Sequence, residues 1–193
     1  PMSVVFRDDQ YIPVQGMYAS TWRGDRARAG AGTLLEHAIH DLDILEHAVG
    51  AVADVSSRSA NFHGIDGIED SVATVVGLAG GGVGVHTTIW HDVLERPSLR
   101  RVEVFCERRY VSLENDWEGP LSWSTAGEPT VTLEGPELVA RCAELGLPVG
   151  DPDGAFLRSV AAGTPASPSL REAVRPHRLV DAVLHIICHH GAR

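Results

Sequence analysis

Glu36, His40, Asp43 and His47 recur at offsets of four, three and four residues. On an α-helix, at about 100° per residue, these offsets keep the four side chains within roughly 60° of one another, as one polar stripe. A histidine between two carboxylates suits proton transfer. One carboxylate fixes the imidazole tautomer and raises its pKa, while the free ring nitrogen serves a substrate. The same residues admit plainer uses. Thr33-Leu34-Leu35-Glu36 is also a capping box, in which Thr33 caps the helix and Glu36 reaches back to its backbone amide. Glu46 and His47 read as solvated groups near the helix end, and Asp43 as a surface carboxylate or a buried acceptor. Spacing alone leaves His40 open between catalysis and an ordinary helix position.

Other chemistry is less well supported. His40 with Asp43 or His47 could begin a helix-based Zn²⁺ or Mn²⁺ site. Third ligands would come from His86 and His91, which flank a strand end, or from His185, His189 and His190 near the C-terminus. No H-E-x-x-H is present, and no metal is expected. Ser71 and Ser98 lack a nucleophile-elbow context and Cys106 lies in a strand-like run, which disfavours a nucleophilic hydrolase. Cys106, Cys142 and Cys188 are scattered and odd in number, so they read as thiols in a reducing compartment rather than as a disulfide framework.

The elements needed to hold the stripe are legible around it. Gly30-Ala31-Gly32 breaks the chain, and Leu35, Ile39, Leu42, Leu45 and Val49 then recur at three- and four-residue spacing. This predicts a helix over about Thr33–Val49 with one buried face, stopped by Gly50. Upstream, Met2–Phe6 reads as a strand entering a loop at Arg7-Asp8-Asp9-Gln10. A chain that opens on a strand, with no helix or cap before it, is expected to continue something upstream. Downstream the period changes. Val52–Asn61, Ser71–Ala79, Val83–Trp90, Arg101–Glu107 and Tyr110–Leu113 are strand-like, separated by turn signals such as Gly80-Gly81-Gly82 and Arg96-Pro97-Ser98. Trp117–Thr132 reads as irregular, with room for one hairpin. Helices return at Pro136–Leu145, Asp153–Ala162 and Ser169–His190, the last with Pro176 as a kink or a first-turn residue. Consecutive strands with no helix between them pair antiparallel. The expected fold class is therefore α+β, an open, mainly antiparallel sheet with helices packed on one face. Its other face needs a cover from a further domain or a sister subunit.

Composition sets the outer limits. The 193 residues, 44% hydrophobic and 22% charged, suit one domain with a sizeable core. A net charge of −10 argues against nucleic acid or an anionic membrane as partner. No apolar run reaches the roughly 18–20 residues of a membrane span, and no signal pattern opens the chain, so a cytoplasmic location is expected. All 16 basic residues are arginine; there is no lysine.

The run from Gly30 to Gly50 resembles a signature of the glucose–fructose oxidoreductase / inositol dehydrogenase family. There a glycine-rich loop is followed by Leu, an acidic residue, three residues, His, two residues, Asp, then Leu and a terminal Gly. Here it maps as Gly32, Leu34 or Leu35, Glu36, His40, Asp43, Leu45 and Gly50. The resemblance extends more weakly over most of the chain. It implies an N-terminal Rossmann domain binding NAD or NADP, followed by an α+β domain that supplies substrate contacts and the dimer interface. His40 would be the acid/base for a sugar or polyol hydroxyl, with Glu36 and Asp43 beside it. Family members more often carry Asp where Glu36 stands. Loop residues before the helix often reach substrate, which nominates Trp22, Arg23 and Tyr18.

Two departures narrow the expectation. The fingerprint G-x-G-x-x-G is absent; Gly80-Gly81-Gly82-Val83-Gly84 lies between two strand-like runs and precedes no helix. The family's Glu-Lys-Pro lysine, on the Rossmann half, has no counterpart in a chain without lysine. Residues 1–193 are thus expected to be the C-terminal α+β domain alone. On that expectation the isolated chain binds no NAD or NADP, is inactive, and forms a homodimer or higher assembly through its sheet. The alternative is a non-enzymatic module for oligomerisation or ligand binding.

Overall fold

The computed structural model describes residues 1–115, 119–147 and 150–190, the side chains of 188–190 excepted. Trp117 and the side chains of Cys188, His189 and His190 therefore lie outside what is described. The architecture is α+β. Eight strands, β1 (Ser3–Tyr11), β2 (Val52–Ala60), β3 (Ser71–Leu78), β4 (Val83–His91), β5 (Leu99–Phe105), β6 (Arg109–Leu113), β7 (Leu121–Thr125) and β8 (Val131–Leu133), form one open sheet in the order β2-β3-β4-β1-β5-β6-β7-β8. All neighbours pair antiparallel except β1 and β4, which run parallel with Phe6 opposite His86 and Asp8 opposite Thr88. The helical segments are α1 (Arg26–Ala29), α2 (Thr33–Glu36), α3 (Ile39–Ala48), α4 (Gly135–Glu144), α5 (Pro152–Ala162) and α6 (Leu170–His190).

Strand alternation sends Val4 and Phe6 of β1, Val72 and Val76 of β3 and Val102 of β5 to one face, where they are buried. Leu45 and Val49 pack on Val4, Phe6 and Val76; Leu34, Ala38 and Leu42 pack with Val72 and with Val180 and Val183 of α6. Each of these valines, leucines and the phenylalanine contributes about 1.5–3 kcal/mol through burial. On the other face, Val5, Val75, Val83, Val85, Ile89 and Phe105 stay exposed, a broad apolar surface.

Most elements fall where the sequence places them. β1 does not give way to a loop at Arg7 but continues to Tyr11, its inner positions changing from apolar Val4 and Phe6 to polar Asp8 and Gln10. The one hairpin allowed for between Trp117 and Thr132 is β7–β8, whose second strand ends at Leu133. Pro176 lies inside α6, which starts at Leu170 and opens with a true capping box: Glu172 N–H donates to Ser169 Oγ (3.3 Å) and Ser169 N–H donates to the Glu172 carboxylate.

Candidate functional site

The helix expected over Thr33–Val49 is two helices. The Thr33 carbonyl accepts from His37 N–H (3.1 Å) and from Ala38 N–H (3.0 Å), and the second bond spans five residues, a single π-type turn. α2 ends there and α3 begins at Ile39. Asp41 of α3 is fully buried, as are Leu34, Ala38, Leu42 and Leu45 on the inner side of the two helices.

The capping box also resolves differently. Gly32 is the N-cap, and the Glu69 carboxylate, from the loop before β3, accepts from Gly32 N–H (2.8 Å) and Leu34 N–H (3.1 Å). A negative side chain at a helix start is favoured by the exposed amides and the helix dipole. Thr33 Oγ1 instead pairs with Thr88 Oγ1 at 2.8 Å. Only glycine fits at position 32, because a Cβ there would sit 1.9 Å from the Glu69 carbonyl oxygen. Glu36 is thereby released from capping. Its Oε1 takes Arg23 Nε–H and its Oε2 takes Gln10 Nε2–H (3.2 Å).

Beneath the break, histidine, carboxylate and arginine side chains form a connected set. His86 Nε2 lies 2.9 Å from Asp41 Oδ2, Arg100 Nε donates to Asp41 Oδ1 at 2.6 Å, and His37 Nε2 lies 2.7 Å from Asp8 Oδ2. Arg100 Nη2 stands 4.0 Å from that same Asp8 oxygen and joins the two halves. Burial works against a protonated His37. The hydrogen bond and charge of Asp8 and the charge of Asp41 nevertheless outweigh burial and the opposing Arg100, so its pKa is raised above the ordinary 6.5. A raised folded-state pKa gives its full stabilisation below the unfolded value and loses it as pH climbs through the raised one. Melting temperatures of the wild type and of His37→Gln, compared from about pH 5 to about pH 9, should converge as pH rises. A gap that stays constant across that range would refute this account of the pair.

The nominated residues divide between two places. Trp22 and Arg23 join Glu36: the Arg23 guanidinium lies 4.8 Å over the Trp22 ring while its Nε–H binds Glu36. Tyr18, largely exposed, stacks loosely on Tyr11 with ring centroids 6.4 Å apart. His40 and Asp43 instead line a cleft of about 410 Å³ between α3 and the start of α6, with Leu35, Ile39, Pro176 and His177 on its walls. No hydrogen bond joins His40 to Glu36 or Asp43 among the described residues, so the expected four-residue stripe is a His40–Asp43–His47 stripe with Glu36 turned toward β1. Glu46 departs from its expected solvated role: its side chain is nearly buried, accepting from Val52 N–H (3.1 Å) and pairing with Arg175 (3.3 Å).

Sequence reading missed Asp8, Gln10, Asp41, Glu69 and Arg100 and took His86 only as a possible metal ligand. His86 offered a signal, being a histidine amid Val83, Val85 and Ile89; it lies buried in the middle of β4, not at a strand end. Gly80, Gly81 and Gly82 make the turn between antiparallel β3 and β4, with no helix following, so this run provides no dinucleotide cradle. Among the described residues, no three His, Cys, Asp or Glu side chains are placed to share a metal ion. No helix there is long and apolar enough to cross a membrane.

The architecture is an open mixed sheet with helices on one face and a polar wall of Asp8 and Gln10 at one end of its first strand. The sequence matches the GFO/IDH/MocA C-terminal domain over residues 1–112, and the chain belongs to that family. Solved structures share its fold. A levoglucosan dehydrogenase in complex with NADH is 19% identical with a TM-score of 0.76, covering 97% of this chain and 56% of its own. The WlbA dehydrogenase from Bordetella pertussis, in complex with NADH and UDP-GlcNAcA, is 16% identical with a TM-score of 0.75, covering 97% and 54%. An NAD binding oxidoreductase from Klebsiella pneumoniae is 14% identical with a TM-score of 0.78, covering 98% and 57%. The chain thus spans little more than half the length of these relatives. No curated protein matches the sequence.

Proposed function

We propose that this domain is the substrate-binding and dimerising half of an NAD(P)-dependent oxidoreductase that acts on a hydroxyl of a sugar, polyol or related compound. The supporting observation is the family's own segment, Gly30–Gly50, folded so that His40 and Asp43 line an open cleft while Glu36 pairs with Arg23 on a wall of its own. The cleft volume falls within the roughly 300–1,000 Å³ of small-ligand sites. His40 holds the proton of the reacting hydroxyl, Asp43 sets its electrostatic environment, and Glu36, with both oxygens engaged, orients the wall. Trp22, Arg23 and Tyr18 contact the substrate. The NAD or NADP would supply the hydride acceptor from a Rossmann half, since the glycine run here lies in a hairpin. The experiment joins this domain to its nucleotide-binding half and assays NAD(P)-linked sugar oxidation. The joined enzyme should turn over, and the domain by itself should neither turn over nor bind NADH at micromolar concentration. NADH binding by the isolated domain would contradict the division of labour.

The exposed valines of the outer sheet face support dimerisation. Apolar patches of this extent on a soluble domain mark interfaces. Val85→Arg, at an exposed site on β4, should convert a dimer to a monomer in light scattering behind size exclusion. A wild-type monomer would refute the interface.

A further inference from the structure

We propose that Arg23 is an anion-recognition residue, and that the sugar this wall takes carries an acidic group, a carboxylate or a phosphate. The proposal rests on the sugar-wall reading above and adds the substrate's charge to it.

Three features of the geometry point there. First, Arg23 is held from two directions. Its Nε–H is bound by Glu36 Oε1, and its guanidinium plane lies against Trp22. A guanidinium has five N–H donors in a fixed fork, and only the side-on Nε–H is used by a described residue. The end-on pair, Nη1 and Nη2, is left for a ligand, and that is the edge that binds carboxylates and phosphates bidentately. By contrast, Arg96 gives both Nε and Nη2 to Asp9, and Arg26 bonds the Gly67 carbonyl. Second, Glu36 is committed elsewhere. Gln10 fills its second oxygen, so Glu36 is a positioning residue that fixes Arg23 rather than a substrate contact. Third, the pair remains accessible: the Arg23 side chain is 30% exposed and Trp22 is exposed beside it. An indole face next to a preset fork suits a pyranose ring with an anionic substituent, the ring stacking while the substituent meets the fork. The anion would approach from the edge opposite Glu36, where the carboxylate's repulsion is least.

The test is calorimetric titration of the chain with glucuronate, glucose 6-phosphate and glucose. At least one acidic sugar should bind roughly tenfold or more tightly than glucose, as expected for a charge-assisted bidentate contact. Arg23→Lys, which keeps the charge but removes the fork, should erase that preference, the acidic sugar losing roughly tenfold more affinity than glucose does. Trp22→Leu should weaken acidic and neutral sugars alike, and circular dichroism checks that both variants fold. Whichever acidic sugar shows the preference identifies the anionic group. Glucose binding as tightly as both acids, or a preference that survives Arg23→Lys, overturns the anion proposal and leaves the sugar wall standing. No binding of any of the three overturns both.

Discussion

Replacing Asp41 by alanine is expected to remove about 3–5 kcal/mol of folding stability, enough to bring a domain of ordinary stability close to unfolding. The carboxylate is fully buried, and each of its oxygens serves a different partner, His86 and Arg100. Without it the buried His86 imidazole loses its carboxylate acceptor and Arg100 loses its closest one, so desolvation of a buried polar group goes uncompensated. The loss should be read as a shift of the urea midpoint with unchanged slope. Asp43→Ala, two residues along the same helix but exposed, is the matched control and should stay within about 0.5 kcal/mol of wild type. If the two substitutions cost the same, the buried network is not what anchors α3. The cost reflects breaking the set, not its net worth: replacing all of Asp41, His86 and Arg100 by apolar residues of similar volume is expected to cost far less.

In the joined two-domain enzyme, His40→Ala is expected to lower turnover by about 10²-fold or more while cofactor affinity is preserved. The imidazole is exposed, lies in the α3–α6 cleft, and makes no hydrogen bond to a described residue, so it is available to a hydroxyl there. Single-turnover rates with saturating cofactor separate the chemical step from binding. His37→Gln is the informative companion. His37 has the carboxylate partner and raised pKa of a general base, yet it faces Asp8 beneath the helix break. An unaffected rate in His40→Ala combined with a large loss in His37→Gln would transfer the proton role from one histidine to the other.

The sequence made the helices and most strands legible because their apolar residues follow the periods of 3.6 and 2 that burial imposes. Leu35, Ile39, Leu42 and Leu45 located the helix region, and the valines of β3 and β4 located the sheet. What stayed hidden was set by partners distant in the chain. Asp8 and Gln10 look like a loop because inner strand positions are normally apolar; here they are inside because His37 and Glu36 come down onto them. The Thr33–Glu36 capping box fits its sequence pattern well, but Glu69, 35–37 residues further on, takes the amides first. The π-type turn at Ala38, which separates α2 from α3, has no sequence mark of its own. The site was therefore legible as a segment, while the facing of its side chains was not.

The seat of β1 has a consequence for how the domain assembles. β2–β3–β4 and β5–β6–β7–β8 are two meanders whose strands pair with their chain neighbours, whereas β1 pairs Ser3 with Val83 on one side and Phe105 on the other. Local pairings close short loops and form early; β1 must close loops of 80 and more residues and is entropically the last strand to dock. β1 is thus the keystone between two meanders that can form before it docks. Asp8 and Gln10 travel on it, so the polar wall comes into being only in the final step of folding. In hydrogen exchange, β1 amides should accordingly open only with the whole sheet, since releasing that strand divides the domain in two.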